Sequence, residues 1–356
     1  MVYRYKLSEI MCCGRRRKYR RHHDPDLPVQ RADVYPGNHI PIAKGRLLLG
    51  PDVATYVIAF ILICVPSILF FVFTCRYFVQ YIGWAVAVPI TLIGFLLFMT
   101  DMYCLIRVGT IDPGILPKNT ECYKEFFDIT EDVEPGYHNQ EALEAPPNKE
   151  IEIDGIVLPL KWCSTCKIYR TPRASHCSRC DCCIERFDHH CPWTGTCIGQ
   201  RNHRYFFFFV TITTLMCLYG VFACGLQIGI TINAFMIQDA SLYFGGAFFD
   251  VLISCPVSFV LFFYALIMIL SVGSLSAYHF YLITQNQTTY DKIQDKFSHK
   301  RNPFNHGAKA NIIEVLFSPL PASRLCLDQK IVLNEMIQEE AIAERITLEH
   351  EDAEQE

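Results

Sequence analysis

The sequence predicts an all-α polytopic membrane protein: four transmembrane helices, with a Cys/His-rich loop between spans two and three. Two observations carry that prediction. Of the 356 residues, 51% are apolar and only 19% charged, below the ~25% charge of an ordinary soluble domain. The mean hydropathy is +0.19, and the excess sits in a few long uncharged runs. Second, eight of the 18 cysteines fall between positions 163 and 197. Together these exclude a disordered chain, a collagen and a cytosolic enzyme of ordinary composition.

The spans follow from the uncharged runs. Residues 53–75 carry no charge, and residues 77–100 are uncharged again after Arg76. Further uncharged runs cover 205–238 and 251–290. A spanning helix needs roughly 20 apolar residues in succession. The expected spans lie near 53–75, 82–104, 205–228 and 249–272. Pro66, Pro89 and Pro256 are tolerated inside them, because neighbouring helices can satisfy the freed backbone groups.

Orientation follows from Lys and Arg, which mark the cytosolic side. The first 50 residues hold 11 of them, residues 107–204 hold 12, and the tail after 283 holds 8. Arg76 is the sole one between spans one and two, and none lies between spans three and four. Both termini and the central loop are therefore expected in the cytosol. The domains read as a basic tail (1–52), a transmembrane hairpin (53–106), a cytosolic loop (107–204), two further spans (205–283) and a cytosolic tail (284–356). No signal peptide is expected, because the first apolar run is too long for one. Asn286-Gln287-Thr288 has glycosylation spacing but should face the cytosol and stay bare.

The basic tail contains Cys12-Cys13 followed by Gly14-Arg15-Arg16-Arg17-Lys18. Such a patch can lean on an anionic leaflet, and an acyl chain on Cys12 or Cys13 would supply a second membrane signal. The bland reading of the patch is topology setting and solvation. The last 29 residues read as a solvated helix or a frayed end.

In a reducing compartment, a dense cysteine cluster points to metal or catalysis rather than disulfides. Structural zinc takes four Cys or His ligands in a closed tetrahedron. The segment offers eight Cys and three His, so two closed sites leave three groups over. Cys163 with Cys166, and Cys177 with Cys180, have the spacing of ligand pairs. His176 and Cys177 are adjacent, so in an extended segment they face opposite ways and serve different ions. Two zincs can organise a loop too poor in apolar residues to fold alone. The alternation also applies to Asp188-His189-His190-Cys191. If His190 points to a metal, His189 and Cys191 point away together. An imidazole beside a thiol activates it, and an upstream carboxylate can orient the imidazole.

These residues resemble the DHHC protein S-acyltransferases (palmitoyltransferases). The match runs through Cys163-Ser-Thr-Cys166, Arg170-Thr-Pro172-Arg173-Ala-Ser-His176-Cys177, Asp188-His189-His190-Cys191-Pro-Trp193, Cys197-Ile-Gly199, Asn202 and Phe206. Asp112-Pro113-Gly114 matches the family's DPG motif, and Thr288-Thr289-Tyr290-Asp291 resembles its TTxE motif. Asn302-Pro303-Phe304 and Asn311 resemble the asparagine region of its tail. Gly45-Arg46, Gly50-Pro51-Asp52 and Glu185-Arg186-Phe187 are similar to the plant and Ras-palmitoylating subgroup.

The resemblance implies a first zinc on Cys163, Cys166, His176 and Cys183, and a second on Cys177, Cys180, His190 and Cys197. It implies Cys191 as the acyl-accepting nucleophile, His189 as base and Asp188 as its orienter, with Cys182 an inert spare. The cosubstrate would be palmitoyl-CoA or another long-chain acyl-CoA, and Lys161, Lys167, Arg170 and Arg173 are candidates for its phosphates. The acceptors would be cysteines of membrane-associated proteins. The subgroup implies an endomembrane home at the Golgi or ER, with the plasma membrane as the alternative, and an accessory subunit. Two positions depart: Thr196 replaces the usual Asn, which concerns packing around the second zinc, and Asp291 replaces Glu, which concerns docking of the tail. Tyr205-Phe-Phe-Phe-Phe209 either lines the upper end of an acyl cavity or faces lipid. The rivals are a catalytically silent zinc scaffold and a membrane RING-type ubiquitin ligase, which would need another Cys-x2-Cys pair. A nucleic-acid module does not fit between two spans.

Overall fold

The computed structural model describes residues 29–119, 149–238, 244–298 and 300–331. Cys12, Cys13 and the acidic tail beyond 331 lie outside the described residues. Among those described, four helices are long and apolar enough to cross a membrane: Val53–Ile82, Trp84–Thr110, His203–Ile237 and Pro256–Thr284.

Two spans sit differently from expectation. The first does not end before Arg76; it stays helical through that exposed residue and reverses at Gly83, whose φ of 108° suits glycine. One arginine near a helix end can keep its guanidinium at the interface while its stem lies along the helix. The fourth begins at Pro256 rather than near 249, after a separate helix Phe244–Ser254. Pro256 occupies the first helical turn, where its missing N–H costs nothing. The uncharged run was longer than one span, so hydropathy alone left the window free. The shift carries His279 and Ile283 to the end of the span nearest the cysteine-rich region.

Lipid offers no hydrophobic drive between spans, so close packing and polar pairs hold them. The Tyr56 ring lies on Gly109, where a Cβ would come within 2.5 Å of the ring. Its hydroxyl donates to the Leu105 carbonyl at 3.0 Å. Tyr219 ties span three to the Ile90 carbonyl at 2.8 Å. Ser258 donates to Gln227 at 2.7 Å and meets Thr74 at 3.1 Å. Thr213 donates to the buried Asp101 at 2.8 Å.

The soluble part departs from the all-α expectation. It is built of small antiparallel pairings of two or three strands. The cause is local: a Cys-x2-Cys turn must fold back sharply for both sulfurs to reach one point. The residue after each pair takes up a left-handed conformation, Lys167 at φ 53° and Asp181 at φ 51°. Hairpins result at Trp162–Cys163 with Ile168–Tyr169, and at Ser175–Cys177 with Cys182–Ile184. Ile115–Leu116, just after span two, adds a third strand to the second hairpin.

Two apolar clusters place the region. Leu48, Ile115, Ile184, Leu325 and Leu327 pack around Cys177, Cys180, Cys182 and Cys197, so the segment before span one and the tail after span four clasp the same module. Cys191 belongs to a different cluster, with Tyr56, Ile63, Leu105, Val108, Phe206 and Phe209 of three spans.

Candidate active site and metal centres

The strand register puts eight donors into two sets of four. Cys183 lies directly opposite His176, and Cys182 opposite Cys177. Neighbours on a strand face opposite sides, so His176 and Cys183 share one face while Cys177 serves the other. Cys163, Cys166, His176 and Cys183 bring one ligand atom each within 4.8 Å of one another, and so do Cys177, Cys180, His190 and Cys197. His190 reaches the second set because it pairs with Cys197 across the hairpin 189–198. Within the sets, Cys166 Sγ is 3.4 Å from His176 Nδ1, and Cys180 Sγ is 3.3 Å from His190 Nδ1.

Both sets fit zinc by donor chemistry: three sulfurs and one imidazole nitrogen, closed and buried. The close approach of Cys166 and Cys183 pulls the Cys166 thiol down to about 5 and pushes Cys183 far up. The two Cys/His clusters are consistent with zinc in both.

Each histidine of the sets faces a carboxylate on its other ring nitrogen. Asp52, the residue before span one, accepts from His190 Nε2 at 2.8 Å and from Arg179 at 2.5 Å. Burial alone would raise the Asp52 carboxyl, but these bonds hold it below its usual range. The counterpart is weaker: His176 Nε2 lies 4.0 Å from Asp181, which is itself held by Lys118 at 2.9 Å. An outer carboxylate fixes the tautomer and strengthens the ligand. Sequence reasoning missed this role for Asp52, which stands more than a hundred residues from His190; the one signal was its place in the Gly50-Pro51-Asp52 lead-in.

On the other face of the 189–191 strand stand His189 and Cys191. His189 Nδ1 donates to Asp188 at 2.5 Å, and its imidazole stands on the same face of the strand as the Cys191 thiol. Burial would lower His189, but Asp188 and Cys191 lift it to about 10. Burial would raise Cys191, but His189 wins and holds the thiol below its ordinary value. Burial would likewise raise Asp188, yet the bond from His189 keeps its carboxyl well below the usual range. The three groups form a chain that favours a thiolate beside an imidazolium, the state in which a cysteine is a nucleophile.

The segment after span four reaches this chain. The backbone N–H of Thr289 donates to Asp188 Oδ1 at 2.8 Å. Asp291 completes a capping box with Thr288 and pairs with Arg173 at 2.7 Å and Lys296 at 2.9 Å. Arg173 and Arg186 both donate to Asn286 Oδ1, at 3.1 and 2.8 Å. Asn286, the asparagine of the sequon, is fully buried. The shorter Asp291 carboxylate therefore still reaches its arginine.

This contact removes one expected site residue. Arg173 was a candidate for CoA phosphates, but its side chain is only 6% exposed and satisfied by Asp291, so it holds the tail instead. Lys161, Lys167 and Arg170 all lie on the first hairpin, Lys161 fully exposed and the other two half-buried. The remaining expected residues fall as follows. Cys182 is buried against Tyr35, and burial pushes its thiol up. Thr196 is buried and hydrogen-bonded to His39 Nε2 at 3.1 Å. Asn202 binds the Cys197 carbonyl at 2.8 Å and the Gly199 N–H at 2.8 Å, locking the loop onto span three. Of the aromatic run, Phe206 and Phe209 pack beside Cys191, while Phe207 packs with Ile283, Val315 and Leu316 of the tail.

Comparison with known proteins adds an independent finding. A sequence profile described as DHHC palmitoyltransferase matches residues 157–296. The mouse palmitoyltransferase ZDHHC18 is 35% identical over 304 residues, covering 83% of this chain and 75% of its own. The chain belongs to the DHHC palmitoyltransferase family. Protein S-acyltransferase 8 of Arabidopsis thaliana is 36% identical over 293 residues, 82% of this chain and 70% of its own. Probable protein S-acyltransferase 7 of the same plant is 36% identical over 292 residues, 82% of this chain but 63% of its own length. The family match spans both ligand sets, the Asp188–Cys191 strand and the docked segment through Asp291. With four apolar helices of spanning length and relatives of this kind, the chain is a membrane protein.

Proposed function

We propose that this palmitoyltransferase works by a ping-pong reaction on Cys191, with Asp188 and His189 preparing the thiolate. The single observation that carries the reading is the position of Cys191. It shares one face of its strand with the His189 imidazole and is packed among span residues. A long acyl chain gains roughly 0.8 kcal/mol per methylene kept out of water, so a thioester attacked at the top of the helices need not leave an apolar environment. A cavity between the spans extends below, lined by Ile63, Phe98, Thr213, Met216, Tyr219 and Tyr264 among others. Ile63, Phe98 and Met216 also belong to the cluster around Cys191, which supports a continuous path for the chain.

In the first half-reaction the Cys191 thiolate attacks the thioester carbonyl of a long-chain acyl-CoA. The carbon–sulfur bond to CoA breaks, and the departing thiolate takes the proton from His189. In the second, a substrate cysteine gives its proton to His189 and attacks the acyl-enzyme, and Cys191 leaves as the thiolate. Asp188 holds the imidazole in place through both. Zinc in the two four-donor sets would fix the hairpins that hold this strand, with Cys163, Cys166, His176 and Cys183 holding one ion and Cys177, Cys180, His190 and Cys197 the other. Lys161, Lys167 and Arg170 are the cations left for the CoA phosphates. The ligand sets and the Cys191 face lie in the cytosol, both termini with them. The acceptors are cysteines of membrane-associated proteins, and the subgroup likeness favours the Golgi or ER and an accessory subunit.

The test is acyl-enzyme formation. Detergent-purified protein is incubated with alkyne-labelled palmitoyl-CoA, and wild type is compared with Cys191→Ser, each carrying Cys12→Ser and Cys13→Ser. Hydroxylamine-released label confined to the chain with Cys191 is expected. Equal label in both would overturn the assignment of Cys191. Folded protein with its metal and no label in either would favour a missing accessory subunit or the silent scaffold, which adding candidate partners would separate.

A further inference from the structure

We propose that Asp188, His203 and His279 form a third cation site, which binds a zinc-type divalent ion and slows acylation while the ion is bound. These residues come from three elements: the strand lead-in, the start of span three and the end of span four. Each offers one donor atom, and the three atoms lie within 4.8 Å of one another. The imidazoles are buried, His203 at 5% and His279 at 1% exposure. Among the described residues, neither ring nitrogen of His203 has a hydrogen-bond partner, nor does Nδ1 of His279. His203 Nε2 stands 3.9 Å from Asp188 Oδ1, too far for a hydrogen bond. Buried polar atoms are nearly always satisfied, so one ring nitrogen from each of two buried histidines beside a carboxylate calls for a shared partner.

The donor set points to the kind of partner. Two imidazoles and a carboxylate, with further positions open, suit zinc and its neighbours in the first transition row rather than magnesium or calcium. The set holds no sulfur, which separates it from the two thiol-rich sets. Asp188 Oδ1 accepts from the Thr289 N–H, and a carboxylate oxygen retains a second lone pair for an ion. With three protein donors and no thiolate, this site coordinates an ion less fully than either four-donor set.

The inhibitory consequence rests on the catalytic reading of Asp188; the binding does not. Asp188 orients His189 through Oδ2, and an ion drawing on Oδ1 turns the carboxylate away from that bond. The His189 ring also stands 6.0 Å from the His279 ring, so rotation of His279 toward an ion shifts its packing. A purely structural pair of histidines would stack in the same way but would take up no metal.

The experiment uses full-length protein retaining the two ions of its thiol-rich sets, with cobalt(II) as the probe. Metal per chain is counted by mass spectrometry, and the absorption spectrum is recorded. One extra equivalent of cobalt is expected, with ligand-field bands in the visible and no added thiolate charge-transfer band. Cys191→Ser should bind the same extra equivalent. His203→Tyr and His279→Phe should each lose it; retention of the other two ions shows that a variant has folded. Added zinc should slow labelling by palmitoyl-CoA about tenfold in wild type, with little effect on either variant relative to its own zinc-free rate. No extra equivalent, or a charge-transfer band that vanishes in Cys191→Ser, would overturn the site. An extra equivalent with labelling unaffected by zinc would overturn the inhibition. No labelling even without zinc, beside normal cobalt uptake, would count against the Cys191 reading and leave the binding site standing.

Discussion

Asp52 is separated from the cysteine-rich loop by a whole transmembrane hairpin, yet it grips the outer nitrogen of His190. Removing such an outer partner lowers metal affinity by about 10- to 100-fold. Asp52→Ala is therefore expected to release the ion of the second set to a competing chelator, and to leave the first set loaded. Chelator titration with metal counted per chain checks this; equal retention in both sets would show that His190 needs no such support. Cys191→Ser makes the opposite separation. It removes the proposed acyl acceptor while leaving the eight candidate donors in place, so metal content should stay at the wild-type value as labelling falls to background. A loss of metal in that variant would mean that Cys191 is itself a ligand. Gly50 bears on the same contact from the backbone side. A Cβ there would meet the Gly195 carbonyl oxygen at 1.9 Å, and Gly50→Ala should cost about 1–3 kcal/mol by forcing the lead-in off the second set. A thermal melt unchanged from wild type would rule that out.

At the scale of elements, the docked tail depends on one buried carboxylate. Asp291 is fully buried against Arg173, whose side chain is 6% exposed. Removing one partner of a buried pair strands the other and typically costs about 3–5 kcal/mol. Asp291→Ala should undock the segment 286–291 and slow acylation through Asp188, which would lose the Thr289 N–H. Hydrogen exchange at Thr289 reports the undocking directly, and unchanged protection would refute it. The same pair sets a pH limit. Burial would raise Asp291, but Arg173 and Lys296 hold it below its ordinary value. A depressed folded pKa means the stabilisation is complete above the ordinary aspartate pKa of about 3.9 and is lost as pH falls through the folded value. Docking should thus be insensitive to pH near neutrality and fail in acid; loss of protection above pH 5 would point to another group. The docked segment was legible as a motif, but its reach was not. That Thr289 would touch Asp188 depends on where span four ends, and an uncharged run of forty residues leaves that end undetermined. Two interleaved sites were legible because residue alternation on a strand is a local rule, while the full ligand sets came from the family resemblance. The hairpins carrying them were not, because metal spacing overrides propensity in so short a loop. Asp52 and Arg173 follow the same division: both were visible as charges, and neither partner was visible without the fold.

At the scale of the molecule, orientation decides whether this chemistry is available at all. The two thiol-rich sets need reduced cysteines, and the proposed transfer needs acyl-CoA; the cytosol provides both and an oxidising lumen does not. The charge distribution agrees. Residues 107–204 hold 12 Lys and Arg, and the first 50 hold 11, whereas the turn at Gly83 between spans one and two is flanked by uncharged residues from Tyr77 to Thr100. Positive segments stay on the cytosolic face, and four crossings return the chain to the side where it began. The turn at Gly83 is therefore expected on the opposite face. A Cβ at Gly83 would meet no atom within 4 Å, so the turn has room for an inserted loop bearing an Asn-x-Thr acceptor, long enough to stand clear of the bilayer. That insertion should be glycosylated in cells, while the natural acceptor at Asn286, buried under Arg173 and Arg186, should remain bare. Sensitivity to a glycosidase that removes N-glycans checks both at once. A glycan on an acceptor inserted between residues 119 and 149, with none at the turn, would invert the protein. It would place Cys191 where neither reduced thiols nor acyl-CoA are found, and the acyl-transfer reading would fall with it.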